Sequence, residues 1–114
     1  MRMNDVGKSL SLDDVCTLVM ITQMRGTRAE RVETRTKREV YCTRKHINQS
    51  EFFKAHQEGL RSDLCLVINS DEYEGEQEVE YNNRLYAVYR FYERDDDMAE
   101  LYCSERVGVN GTVN

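Results

Sequence analysis

The chain has 114 residues, 39% hydrophobic and 32% charged, with a formal net charge of −5. That length suits one domain with a modest core, and the acidic balance argues against a module that wraps nucleic acid over its surface. No stretch approaches the ~20 apolar residues that span a bilayer, and the opening MRMNDVGKSLSLDD lacks the apolar centre of a secretion signal, so a non-membrane protein of the cytoplasm is expected.

Residues 1–14 are expected to be a flexible tail. LVMITQ (Leu18–Gln23) is rich in residues that favour a strand, and REVYCTR (Arg38–Arg44) alternates in the same sense. Between them, Met24–Lys37 is polar, charged and without apolar periodicity, which reads as a long mobile loop. NQSEFFKAHQEGL reads as the one helix. Asn48 or Ser50 caps it, Glu51 sits at the positive end of its dipole, and Gly59 ends it. Phe52 or Phe53, Ala55 or His56, and Leu60 would form its apolar side.

DLCLVIN follows as a buried strand. EVEYNNRLYAVYRFYER has the signature of a hairpin, because Asn82 and Asn83 tolerate the positive φ angles of a tight two-residue turn. That turn sets Tyr81 opposite Arg84, Glu80 opposite Leu85 and Val79 opposite Tyr86. Val79, Tyr81, Tyr86 and Val88 then share a core face. AELYCSERV (Ala99–Val107) closes the sheet with Leu101 and Cys103 inward, and residues 108–114 are a second flexible tail. The expected fold is mainly β: a small barrel-like curved sheet of about six strands with one short α-helix, in a single domain spanning 1–114.

The four cysteines, Cys16, Cys42, Cys65 and Cys103, form no close pairs of the zinc-ribbon or redox type, so they are expected to be buried free thiols. His46 and His56 are the only histidines, and neither has a catalytic partner at recognisable spacing. No nucleophile elbow, phosphate loop or zinc-protease helix occurs. The run DEYEGEQEVE lacks the ligand order of a calcium loop, and its alternating glutamates read as a solvated strand face. No catalytic, metal or cofactor residues are therefore expected.

Charge is unevenly distributed. Residues 24–47 carry eight Lys/Arg against three Asp/Glu, whereas residues 48–114 carry six against fifteen. Arg25, Arg28, Arg31, Arg35, Lys37 and Arg38 are thus candidates for a ring interface or a DNA-facing channel loop. Glu72, Glu74, Glu76 and Glu78 are candidates for the acidic surface that a neighbouring subunit's loop would meet.

Taken in order, REVYC, the SEFFKAHQEGL helix, the Y-x-G-E turn at Tyr73–Glu76, the YNNRLYAVYR hairpin and ELYCSER resemble the head–tail adaptor family of tailed bacteriophages, also called head-closure, stopper or head–tail joining proteins. The resemblance extends from Leu18 to about Val107. It implies a virion protein of a phage or prophage, made in the bacterial cytoplasm and located at the neck of the particle. There it would form a homo-oligomeric ring on the portal (connector) protein, close the head over packaged DNA and offer a platform to the tail completion protein. DNA in the channel would be contacted non-specifically. The family carries no catalytic residues to this chain. Two other expectations stand beside it: a tail-terminator or tail-completion ring protein, and a small β-barrel nucleic-acid-binding module.

Overall fold

A computed structural model describes residues 12–26 and 30–106. Its elements are β1 (Asp14–Arg25), β2 (Arg31–Lys45), α1 (Gln49–Gln57), β3 (Leu64–Asn69), β4 (Glu78–Tyr81), β5 (Arg84–Glu93) and β6 (Met98–Glu105), with a short 3₁₀ turn at Ser70–Glu72. The six strands close into an antiparallel barrel in the order β1-β2-β3-β6-β5-β4. The expected class is therefore correct. Of the sequence expected to be tail, 1–11 and 108–114 lie outside the described residues, as does Val107 of the expected last strand, while Asp14, expected in the first tail, opens β1 by pairing with Cys42.

The barrel closes because alternate side chains of each strand fill it. Cys16, Leu18, Val40, Cys42, Leu64, Leu66, Ile68, Val79, Tyr81, Tyr86, Ala99, Leu101 and Cys103 form one buried cluster, with Tyr73 and Val88 packed against it. The hairpin register is the one its turn demands. Asn82 and Asn83 have φ of 51° and 64°, and Val79 pairs with Tyr86, Glu80 with Leu85 and Tyr81 with Arg84. The ladder from β5 to β6 slips between Val88 and Arg90, which makes Tyr89 the extra residue of a bulge.

Asn48 caps α1, its Oδ1 accepting from the Glu51 N–H at 2.8 Å, and Gly59 follows with φ +77°. The helix packs less deeply than expected. Ala55 is its one buried residue, Leu60 beyond it is half-buried, and Phe52 and Phe53 are both exposed. Polar contacts hold the helix instead: Glu51 accepts from the Tyr89 hydroxyl at 2.9 Å and from Arg90 Nε at 3.2 Å. Helix dipole and caps alone would leave so short a helix unstable, so these contacts anchor it.

The main departure from expectation lies within 24–37, where Met24–Arg25 and Arg31–Lys37 are ribbon rather than loop. β1 and β2 pair without interruption from Asp14↔Cys42 to Arg25↔Arg31. Only β1's Thr17–Val19 pairs with β4, and only β2's Thr43–Lys45 pairs with β3. Past Val19 and Lys37, the two strands therefore leave the barrel as a two-stranded arm on the order of 20 Å long. Residues 31–37 are all exposed, so neither face of this part of β2 carries the apolar alternation that announces a half-buried strand. Residues 27–29, and with them Arg28, lie outside the described residues.

Candidate functional site

The charged residues singled out in the sequence divide into two groups, one at the base of the arm and one near its tip. At the base, β1 lies between β2 and β4, and Lys37, Val19 and Glu78 occupy one rung across the three strands. Basic side chains on β2 reach diagonally over β1 to acids on β4. Arg35 pairs with Glu78, and Lys37 pairs with Glu80 at 2.9 Å. Beneath these ion pairs Val19 is fully buried although it points away from the barrel core. Arg106 adds a second partner for Glu78 at 3.5 Å. Hydrogen bonds to Glu33 and Glu78 hold the Arg35 guanidinium above its ordinary pKa.

On the opposite face, Arg38 fastens the segment that crosses from β3 to β4. It donates to Glu72 Oε1 at 2.8 Å, to the Glu72 carbonyl, and to Glu76 Oε2 at 2.9 Å. Glu76 Oε1 also accepts from the Glu74 N–H at 2.8 Å, and the Tyr73 hydroxyl donates to the Glu76 carbonyl at 2.7 Å. The Tyr73 ring stacks on Phe91 with centroids 4.6 Å apart. Gln77 continues the sheet without being a strand residue: its amide donates to the Ile21 carbonyl at 3.0 Å and accepts from the Ile21 N–H at 2.9 Å.

These contacts correct the acidic-surface reading. Glu76 and Glu78 are 3% and 2% exposed and are bound by arginines of the same chain. They are not a solvated face, and they are not available to a neighbour's loop. Glu72 is half-buried and also held by Arg38, while Glu74 is exposed. Arg35, Lys37 and Arg38 correspondingly belong to the base of the arm and not to a loose loop.

Arg25 and Arg31 face each other at the last rung, near the tip. Arg31 donates to Gln23 Oε1 at 3.1 Å, and both arginines are exposed. One rung inward, Met24 and Val32 sit opposite each other, 60% and 48% exposed. Among the described residues nothing covers this part of the ribbon, so both side chains present apolar surface to solvent. A second exposed apolar pair, Phe52 and Phe53, lies on α1 with ring centroids 6.4 Å apart.

The remaining candidates lie apart from the arm. His56 lies on the exposed side of α1, beside a cleft of about 150 Å³ lined also by Phe52, Leu60, Arg61, Ser62 and Asp63. Among the described residues, no group of three or more His, Cys, Asp and Glu is placed to hold a metal ion. No described helix is long and apolar enough to cross a membrane. All four cysteines are buried and unpaired, as their apolar sequence surroundings suggest. Burial pushes the Cys65 thiol up to about 12 and the Cys103 thiol upward as well, so both are poor nucleophiles.

No family model matches the chain, and no curated protein matches it significantly. Among solved structures, the chain is similar to the solution structure of protein SF1141 from Shigella flexneri 2a, with a TM-score of 0.67 over 83% of this chain and 93% of that one. The two are 13% identical, so the likeness establishes a shared fold.

Proposed function

We propose that the chain is a structural assembly subunit of the head–tail adaptor kind, acting as a ring on the portal at the neck of a tailed phage. Contacts made by its arm would serve that role, with no bond made or broken. The observation that carries this reading is the arm itself. Its base is fastened by Arg35, Lys37 and Arg38, while beyond Ile21 its strands have no sheet neighbour among the described residues and expose Met24, Val32, Arg25 and Arg31. A ribbon held at one end and bare at the other is arranged to be completed by a neighbouring molecule. The resemblance of the helix, turn and hairpin sequences to head–tail adaptors supplies the identity of that neighbourhood: portal above, tail below, DNA in the bore.

The test separates tip from base. Arg25→Ser and Arg31→Ser together remove charge from near the tip and leave the ion pairs at the base intact. In the phage that encodes the chain, the double variant should fold and accumulate normally but yield heads that fail to join tails or that lose their DNA. Infectious, tailed particles that retain DNA would count against the proposal.

A further inference from the structure

From the sequence of the bare edge, we infer that the free protein pairs with a second copy of itself, β2 against β2, about a two-fold axis at Arg35. The inference does not rest on the head-closure reading and is tested on the purified chain alone.

β2 has β1 along one side, and its other side meets β3 only from Thr43 onward. The intervening backbone, Arg31–Lys37, is a sheet edge that no strand among the described residues pairs. A two-stranded ribbon is marginal in water, and joining two of them side by side makes a four-stranded sheet. Edge strands are commonly protected by charge, since like charges brought together repel. The charges here have the opposite arrangement. Reading one face, the order is Arg31, Glu33, Arg35, Lys37, Glu39.

When two such strands run antiparallel with Arg35 opposite its own copy, Glu33 lies opposite Lys37 and Arg31 opposite Glu39. Symmetry repeats each pair, giving four opposite-charge contacts. On the other face Thr34 meets Thr36, a favourable cross-strand pair. The one like-charge contact, at the axis, joins arginines that each already pair with their own Glu78, while Glu33 and Lys37 share the new contacts with their own Arg35 and Glu80. Moving the register two residues one way sets Glu33 against Glu39, and two residues the other way sets Arg31 against Lys37. A one-residue slip leaves most of the charges facing Thr or Val. The edge is thus self-complementary in one register. Because this pairing covers one side of the arm, it would also hold the arm away from other partners until the pair separates.

Sedimentation equilibrium of the full chain at low salt should show a monomer–dimer equilibrium that shifts toward monomer as salt is added. Glu39→Lys sets Lys against Arg31 twice and should weaken the dimer by roughly ten-fold or more. Adding Arg31→Glu restores opposite charges and should restore the affinity. Both positions are exposed, and circular dichroism checks that each variant folds. Register is read by mixing Thr34→Cys protein with Thr36→Cys protein under mild oxidation. The mixture should cross-link faster than either variant alone, since the native thiols are buried. A chain that stays monomeric at low salt, one that forms only larger rings, or a dimer indifferent to Glu39→Lys would each overturn the inference.

Discussion

The ion pair between Arg35 and Glu78 gives an asymmetric prediction that a solvated loop does not. Replacing Arg35 with Ser leaves a carboxylate that is 3% exposed, with Arg106 at 3.5 Å as its remaining partner. Breaking a fully buried pair costs about 3–5 kcal/mol. Arg106 retains part of the compensation, and the Arg35 side chain is itself 36% exposed, so the expected loss is about 2 kcal/mol. Replacing Glu78 with Gln instead leaves two guanidiniums that already reach water, and should cost about 1 kcal/mol. The double variant should cost about 1 kcal/mol less than the sum of the two, because each substitution removes what the other would have disturbed. Urea unfolding followed by circular dichroism at constant m-value measures all three. Arg31→Ser, near the tip, is the control and should stay within about 0.5 kcal/mol of the parent. If Arg35→Ser matches Arg31→Ser, the base of the arm is not fastened as described and the assignment of Arg35 fails.

Tyr86→Ala should cost about 3 kcal/mol and Val88→Ala nearer 1, since Tyr86 is buried in the barrel and Val88 only half-buried; the reverse order would mean a shifted register. Thiol titration should find the four cysteines unreactive in the folded protein and all four free after unfolding, and a smaller count would show a disulfide. The Tyr81 hydroxyl donates to Asp14 Oδ2 at 2.5 Å, and that bond with burial lifts its pKa to about 12. Since this exceeds the ordinary value near ~10, the stabilisation is complete below about pH 10 and is lost as pH rises through about 12. Absorbance titration of tyrosinate should show one fewer late-ionising group in Tyr81→Phe, and an unchanged curve would refute the contact.

The sequence made the barrel legible where local chemistry is decisive. Asn82–Asn83 announces a turn that only two positive-φ residues satisfy, and that turn dictates every rung of β4 against β5. Asn48 and Gly59 bracket the helix for equally local reasons. The apolar surroundings of the cysteines foretold their burial. What was not legible depends on residues far apart in the chain. Arg35 and Glu78 are 43 positions apart, Arg38 and Glu76 are 38, and neither pair leaves a local mark. Glutamates that alternate along a strand look solvated until an oppositely charged strand is known to lie one strand away. A usable signal did exist. Arg35-x-Lys37 and Glu78-x-Glu80 carry opposite signs at the same two-residue spacing, as two strands facing the same way would require. Phe52 and Phe53 misled for the complementary reason: apolar residues on a helix are normally its buried side, and here polar contacts through Glu51 hold the helix instead.

The charge asymmetry between residues 24–47 and the rest of the chain first suggested one subunit's basic segment resting on the next subunit's acidic body. Much of that complementarity is used inside the chain. Glu72 and Glu76 are held by Arg38 and Glu78 by Arg35, so an incoming arm would have to find other acids, of which Asp71 and Glu74 are exposed. If the chain assembles as proposed, the internal pairs would still serve that assembly, in a different way. A free two-stranded ribbon would lose much conformational freedom on docking, and that loss weakens binding. Ion pairs that cross β1 fix the direction in which the arm leaves the barrel before any partner arrives, so less freedom remains to be lost. On the proposed reading, the buried glutamates would thus contribute to partner binding without touching the partner, by holding the base of the arm while Arg25, Arg31, Met24 and Val32 stay exposed near its tip.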